Sequence, residues 1–351
     1  MGVNAASPHS SALHGDDRAA AGLWDRFGRR ISYLRLSLTE HCNFRCQYCS
    51  PATGTPFFEH QDHLRPDELQ RILQVFHGLG LQHLRFTGGE PLIHPHLLAH
   101  VDFARQLGIG KISLSSNGYL LDRLAAKLAH AGLNSINISL DTLEEKLFTQ
   151  VTRGGDLKRV LRGIDAAIEH AIPRIKLNVV LLQQVNADAL PQLVEFAQQR
   201  GLDIRFIETM PLGSAGTDSQ DRDYLSAASA RERVEAHFGT LLPVASSRDQ
   251  GPARLYALPG GTGRIGFISP ISENFCATCN RVRLTATGRL VYCLGQEQGL
   301  ELRPLLRTAE ASDADLLRAI RAGVWHDKPE RHEFDRDRQR SSKIFMMRLG
   351  G

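Results

Sequence analysis

Residues 31–50 read ISYLRLSLTEHCNFRCQYCS, and this stretch holds both the fold and the chemistry in outline. In its first half Leu34, Leu36 and Leu38 alternate with Arg35 and Ser37. That is the period-two pattern of a strand with one apolar and one polar face. In its second half Cys42, Cys46 and Cys49 follow at the strand's C-terminal end. Three is an odd number of ligands, since a structural zinc takes four and a four-iron cluster normally takes four cysteines. Two readings of the residues stay open: a zinc ion that recruits His41 or His60, or an iron–sulfur cluster with one iron left open to another molecule.

The alternation recurs down the chain. Leu84 and Phe86 stand opposite Arg85, and Ile112 and Leu114 opposite Ser113 and Ser115. Ile136, Ile138 and Leu140 stand opposite Asn137, Ser139 and Asp141, and Ile175, Leu177 and Val179 opposite Lys176 and Asn178. A sixth strand, DIRFIET, closes the series, and helical patterns separate the strands. Repeated β–α units predict an α/β fold with a parallel sheet. A doubly wound sheet carries helices on both faces and has strands apolar on both; these are polar on one. The pattern predicts an incomplete, TIM-like (β/α)6 barrel, helices outside and a polar cavity inside, with six strands where a closed barrel has eight. A sheet with one solvated face, as in α+β folds, is the alternative. In β/α barrels the strand C-terminal ends carry the active site, which is where the first cysteines fall.

The chain has 351 residues, 42% of them hydrophobic, and a net charge of +4. That balance is too small to argue for nucleic acid and is compatible with an anionic ligand. No apolar run reaches the ~18 residues of a membrane span. The first 25 residues lack a signal-peptide core and read as a disordered tail. A partial barrel over 26–225 is expected to follow, then a C-terminal region over 226–351 packing against it. GSAGTDSQD (213–221) reads as a loop leading toward that region, AASARERVEAHF (227–238) as a helix within it, and four short runs as strands. A helix over 312–322 precedes a charged basic tail. All six cysteines fall into two groups of three. Without a secretory signal this points to a reducing, cytoplasmic setting and to metal rather than disulfides.

The second group is Cys276, Cys279 and Cys293. Arg281 and Arg283 follow the first pair, and on an extended segment they point the same way, a cationic pair suited to phosphate oxygens. After the second strand comes TGGEP, Thr87–Pro91.

CxxxCxxC with Tyr48 before its last cysteine, together with TGGEP, resembles the radical S-adenosylmethionine superfamily. The resemblance implies a cluster on Cys42, Cys46 and Cys49 whose open iron binds S-adenosylmethionine through its amino and carboxylate groups. One-electron cleavage then yields a 5′-deoxyadenosyl radical. Gly88 and Gly89 would permit close backbone approach, and Glu90 would accept from the ammonium group. From about residue 29 to 351 the blocks LRLSLTEHCNFRCQYC, RFTGGEPL, NISLD, KLNVV, RFIETM, FCATCNRVRL and the terminal GG resemble one family, the GTP 3′,8-cyclases of molybdenum cofactor biosynthesis.

That resemblance implies two 4Fe–4S clusters, the second on Cys276, Cys279 and Cys293 with its open iron on the guanine of GTP. It places Tyr48, Gly89, Ser139 and Met210 at the S-adenosylmethionine, and Arg35, Arg85, Ser115, Lys176, Arg281 and Arg283 at GTP. Arg281, Arg283, Gly350 and Gly351 would assist the radical step, the glycines as a tail entering the barrel. Hydrogen removal from C3′ of the ribose and attack of the C3′ radical on C8 would give, after reduction by one electron with a proton, (8S)-3′,8-cyclo-7,8-dihydroguanosine 5′-triphosphate. Expected partners are an electron donor such as flavodoxin or ferredoxin and, downstream, cyclic pyranopterin monophosphate synthase. No nucleic acid or membrane partner is expected, and the state is monomer or homodimer. Ser50, His94, Ser115 and the segment KIFMMRL depart from the family's usual residues. Competing readings are a peptide-modifying radical enzyme with an auxiliary cluster and a non-enzymatic zinc or iron–sulfur protein.

Overall fold

The computed structural model describes residues 22–51, 60–245, 251–332, 334 and 344–350. The expected tail lies outside these except for 22–25, and so does Gly351. Six strands fall where the alternation predicts them: β1 (Tyr33–Ser37), β2 (His83–Thr87), β3 (Lys111–Ser116), β4 (Ser135–Ser139), β5 (Ile175–Val180) and β6 (Asp203–Ile207). They pair in parallel and in sequence order. Between them run α1 (Pro66–Gly78), α2 (Leu97–Gln106), α3 (Leu121–Ala131), α4 (Glu145–Thr152), α5 (Leu157–Glu169) and α6 (Leu190–Gln199). Leu34, Leu36, Leu84, Phe86, Leu114, Ile136, Ile138, Leu177 and Phe206 have no measurable exposure. Full burial of such side chains is worth roughly 1.5–3 kcal/mol each, which holds the helices on this face.

The C-terminal region differs from its expected role as an appendage. After α7 (Gly213–Asp223), it supplies α8 (Ala227–Phe238), β7 (Leu242–Val244), β8 (Arg254–Ala257), β9 (Arg264–Ile268), β10 (Arg281–Leu284), β11 (Arg289–Val291) and β12 (Gly299–Glu301). The chain then forms α9 (Arg303–Arg307), α10 (Asp313–Asp327) and α11 (Met346–Leu349). The strands extend the same sheet, in the order β12-β11-β10-β1-β2-β3-β4-β5-β6-β9-β8-β7. β10 joins β1 and β9 joins β6, both parallel, so eight parallel strands form the centre and antiparallel strands the margins. Sequence patterning marks these runs as strands but not their partners.

Residues 213–221, expected as loop, lie in α7. Its Gly, Ser, Thr and Asp residues are poor helix formers, and tertiary fit overrides that. Gly216 lies so close to the Met210 carbonyl that a side chain would collide with it, and Ala215, Ser219, Gln220 and Asp223 are buried. α10 runs five residues beyond its expected end, and Ser312 and Asp315 cap its start reciprocally. No helix among the described residues is long and apolar enough to cross a membrane.

A chain ending at residue 225 would leave β1 and β6 as bare parallel edges, ready templates for intermolecular pairing. We expect such a fragment to aggregate on gel filtration; a monodisperse, cooperatively unfolding fragment would contradict the single-sheet account.

Candidate functional site

Strand register builds the site. Arg283, Arg35 and Arg85 are direct neighbours across β10, β1 and β2, with Ser113 next on β3. Ser115, Asn137 and Lys176 form a second row, and Ser139, Asn178 and Arg205 a third. All share the face opposite the buried leucines and isoleucines.

Two cavities, of about 210 and 220 Å³, open on this face. One is cationic, lined by Arg35, Arg85, Lys111, Arg174, Lys176, Arg205, Arg281 and Arg283, and by all three cysteines of the second group. The other is lined by Cys42, Cys46, Cys49, Tyr48, Gly88, Gly89, Ser115 and Ser139. They adjoin: Asn178, Ile207, Met210 and Met346 line both. Ser115 accepts from Arg85 Nη1 at 3.3 Å, linking the walls.

The first cysteine loop is pinned from several sides. Arg45 N and Gln47 N donate to the carbonyls of Thr152 and Val151 at the end of α4. Arg153, in the left-handed region at φ 53°, donates to Arg45 O and Ser50 O. Tyr48 Oη donates to Asp141 Oδ2 at 2.7 Å, and Asp141 Oδ1 accepts from Val180 N. Burial pushes the Cys42 thiol up to about 12, with the Glu90 carboxylate adding to it, and Cys49 up to about 11. Iron binding, which requires thiolates, must supply the free energy to deprotonate them. A Cβ on Gly89 would run into the carbonyls of His41 and Glu40, and one on Gly88 into that of Thr39. The glycine pair therefore lets this turn lie against the cysteine loop.

Glu90 is placed differently from the expectation. Its Oε1 accepts from Leu92 N and Ser116 Oγ, its Oε2 from Asn117 N, and it lines neither cavity. Here it ties the TGGEP turn to the end of β3, and Asn117 in turn donates to Cys42 Sγ at 3.8 Å. Gly350 does reach the interior. Arg283 Nη1 donates to the carbonyls of Leu349 at 3.1 Å and Gly350 at 2.6 Å. Gly350 sits at φ 74° against Thr87, where a side chain would collide.

Crowded cations shift one another. Burial first, then Arg283, holds Arg35 well below its usual value; burial and Arg281 bring Arg283 down to about 10. Burial and the neighbouring Arg205 and Arg85 bring Lys176 down to about 6, while its Nζ donates to Ser135 Oγ at 2.7 Å. Asn137 Oδ1, Asn178 Oδ1, Arg85 Nε and Arg281 Nε are buried without a hydrogen-bond partner among the described residues. Such groups are costly to leave unpaired; the two Nε–H donors suit an anionic ligand and the two amide oxygens a ligand's N–H or O–H groups.

Sequence reasoning missed Lys111, Arg174, Arg205 and Lys328. Lys111 and Arg205 lie on the polar parity of β3 and β6, so the alternation, carried through, includes them. Lys328 had no such signal. It is fully buried, and its Nζ donates to Arg281 O, Tyr292 O and Cys279 Sγ. Burial alone would raise the Cys279 thiol; Lys328 and Arg281 outweigh it and bring it down to about 7.

Among the described residues no three His, Cys, Asp or Glu side chains converge on a single ion position. Each cysteine triplet lines one of the two cavities, and thiolates are the soft donors that iron–sulfur clusters take.

Comparison with known proteins agrees in sequence and fold. Residues 36–197 match the model of the radical SAM superfamily, and residues 202–334 that of Molybdenum Cofactor Synthesis C. A GTP 3′,8-cyclase from Ectopseudomonas mendocina is 43% identical over 94% of this chain and 98% of its own. GTP 3′,8-cyclase 1 of Pseudomonas aeruginosa is 44% identical over 93% and 98%, and the Hydrogenovibrio crunogenus relative 40% over 94% and 99%. Among solved structures, Streptococcus suis SuiB bound to S-adenosylmethionine shares the fold at a TM-score of 0.59 and 16% identity. That match covers 85% of this chain and 64% of SuiB.

Because free Lys176 sits near 6, folding at neutral pH releases a proton from it. Stability should therefore rise as pH climbs from about 6 toward the ordinary lysine value of 10.5. Lys176→Met should flatten that rise in urea titrations at pH 6.5 and 9; an unchanged slope would count against a desolvated amine.

Proposed function

We infer the reaction from family membership: the chain belongs to the GTP 3′,8-cyclase family, within the radical S-adenosylmethionine superfamily. It is an enzyme of molybdenum cofactor biosynthesis that uses S-adenosylmethionine and an iron–sulfur cluster, with GTP as substrate. The observation that carries the finer reading is the pair of adjoining cavities, each with a cysteine triplet, of which only one is walled by cations. In that reading the sheet is an incomplete (β/α)6 barrel whose edges β9 and β10 extend. Cys42, Cys46 and Cys49 hold the first cluster and Cys276, Cys279 and Cys293 a second. When bound, the first supplies the electron that makes a 5′-deoxyadenosyl radical from S-adenosylmethionine.

The chain's own residues orient and shield. Gly89, Ser139, Tyr48 and Met210 border the S-adenosylmethionine. Arg35, Arg85, Lys176, Arg281 and Arg283 face the triphosphate, and Ser115 positions Arg85. Bonds at both ends of the nucleotide fix the ribose between the cavities, the positioning a hydrogen transfer requires. Exclusion of water by Met210, Met346 and Ile207 protects the radical. Arg283 holds the carbonyls of Leu349 and Gly350, and in this reading the terminal Gly350–Gly351 pair assists the radical step.

Anaerobic incubation with S-adenosylmethionine, GTP and a reductant is expected to give 5′-deoxyadenosine together with a cyclised guanosine nucleotide. Formation of 5′-deoxyadenosine with GTP recovered unchanged would overturn the substrate assignment. Deleting Gly350–Gly351 should lower cyclisation by about 100-fold or more while iron content and S-adenosylmethionine binding stay as in the parent. Product formation at the parent's rate would refute a role for the tail.

A further inference from the structure

Lys328 is the residue that follows α10, in a segment the sequence presents only as charged and basic. The residue is 2% exposed, and its ammonium group has three donors to place. One goes to Arg281 O at 2.9 Å, two residues beyond Cys279, and one to Tyr292 O at 2.8 Å, the residue before Cys293. The third goes to Cys279 Sγ itself at 3.9 Å.

The side chain is held in place from behind. Pro329 follows it and ends the helix. Arg29 Nη2 donates to Pro329 O, and Arg29 Nη1 to both Glu330 O and Cys276 O. Asp25 fixes the Arg29 guanidinium at 2.6 Å. One clamp therefore joins the start of the described chain, the cysteine loop and the segment after α10.

We propose that Lys328 is a positioning and charge-tuning residue for the second cysteine triplet: it locks the backbone beside Cys279 and Cys293 and sets the reduction potential of the cluster held there. This rests on the reading that these three cysteines carry a second cluster. Two carbonyls alone would need only a neutral donor. The donor on the thiolate sulfur places a buried positive charge beside the ligand, where little solvent screens it. Reducing a cluster adds negative charge, so a fixed cation favours the reduced state, and hydrogen bonds to cluster sulfurs act in the same direction.

The test is an EPR-monitored redox titration of the anaerobically purified full chain with iron analysis, comparing the parent with Lys328→Gln. Glutamine keeps donors for the two carbonyls and removes the charge. We expect about eight irons in both proteins. The second cluster's oxidised-to-reduced balance should shift at least tenfold toward oxidised, about 59 mV for a one-electron couple. The first cluster should be unmoved.

An unchanged second midpoint with full iron overturns the proposal alone. About four irons in the parent itself would instead overturn the second-cluster reading. If Lys328→Gln loses the second cluster, Lys328→Arg decides: recovery of iron and of the parent midpoint supports the charge, and continued loss overturns it in favour of packing.

Discussion

The constraint on which this structure turns is a row of like charges in register. Adjacent strands lie about 4.8 Å apart, and Arg283, Arg35 and Arg85 occupy directly opposed positions on three of them. Like charges opposed across strands are destabilising, and burial removes the water that would screen them. The hydrogen bonds of Arg283 to Leu349 O and Gly350 O, and of Arg85 to Ser115, go to uncharged acceptors and do not neutralise the row. The apolar parity of the same strands offsets the cost, through the leucines, isoleucines and phenylalanines that α1–α6 cover. A chain that stores this much repulsion in its interior is built around a polyanion.

The same constraint explains the place of the C-terminal strands. β9 and β10 are consecutive in the chain, yet they flank opposite sides of the six-strand series. The segment joining them carries Cys276 and Cys279, and it faces the cavity that β1 to β6 line. One short connection thus sets two of the three cysteines over the cationic wall, and its exit strand adds Arg281 and Arg283 to that wall. Charge, thiolates and strand pairing arrive together.

Much of this was legible in residues 31–210 because short amphipathic strands state their faces locally. Parity alone sets Arg35, Arg85, Ser115 and Lys176 on the polar face, and Arg205 obeys the same rule; it is the resemblance that singles out the first four as GTP contacts. What was not legible is tertiary. GRIGFIS and RVRLTAT look like strands anywhere, and no local feature says that one pairs with β6 and the other with β1. α7 runs against the propensity of its residues because Gly216 and its neighbours fit a close backbone approach. Glu90 sits in a recognisable motif, but its carboxylate is consumed by Leu92, Ser116 and Asn117, an outcome set by the loop after β3. Lys328 is three-dimensional information entirely: its partners lie 36 to 49 residues away in the chain.

The two cavities meet at side chains of a particular kind. Met210, Met346 and Ile207 are apolar, and Asn178 carries a buried carbonyl oxygen with no partner among the described residues. A mobile, charged boundary would admit water and let a reactive intermediate leak; methionines conform to what they touch without offering a proton. Met346 also belongs to α11, the short helix that leads to Gly350. The chain terminus thus supplies part of the partition between the cavities as well as the glycine that Arg283 holds. Arg283 stands in the repulsive row and also grips the tail's carbonyls, so part of the row's donor capacity is already spent within the protein. Arg283 both lines the cationic cavity and holds the carbonyls of Leu349 and Gly350, so the cavity and the tail meet at one guanidinium.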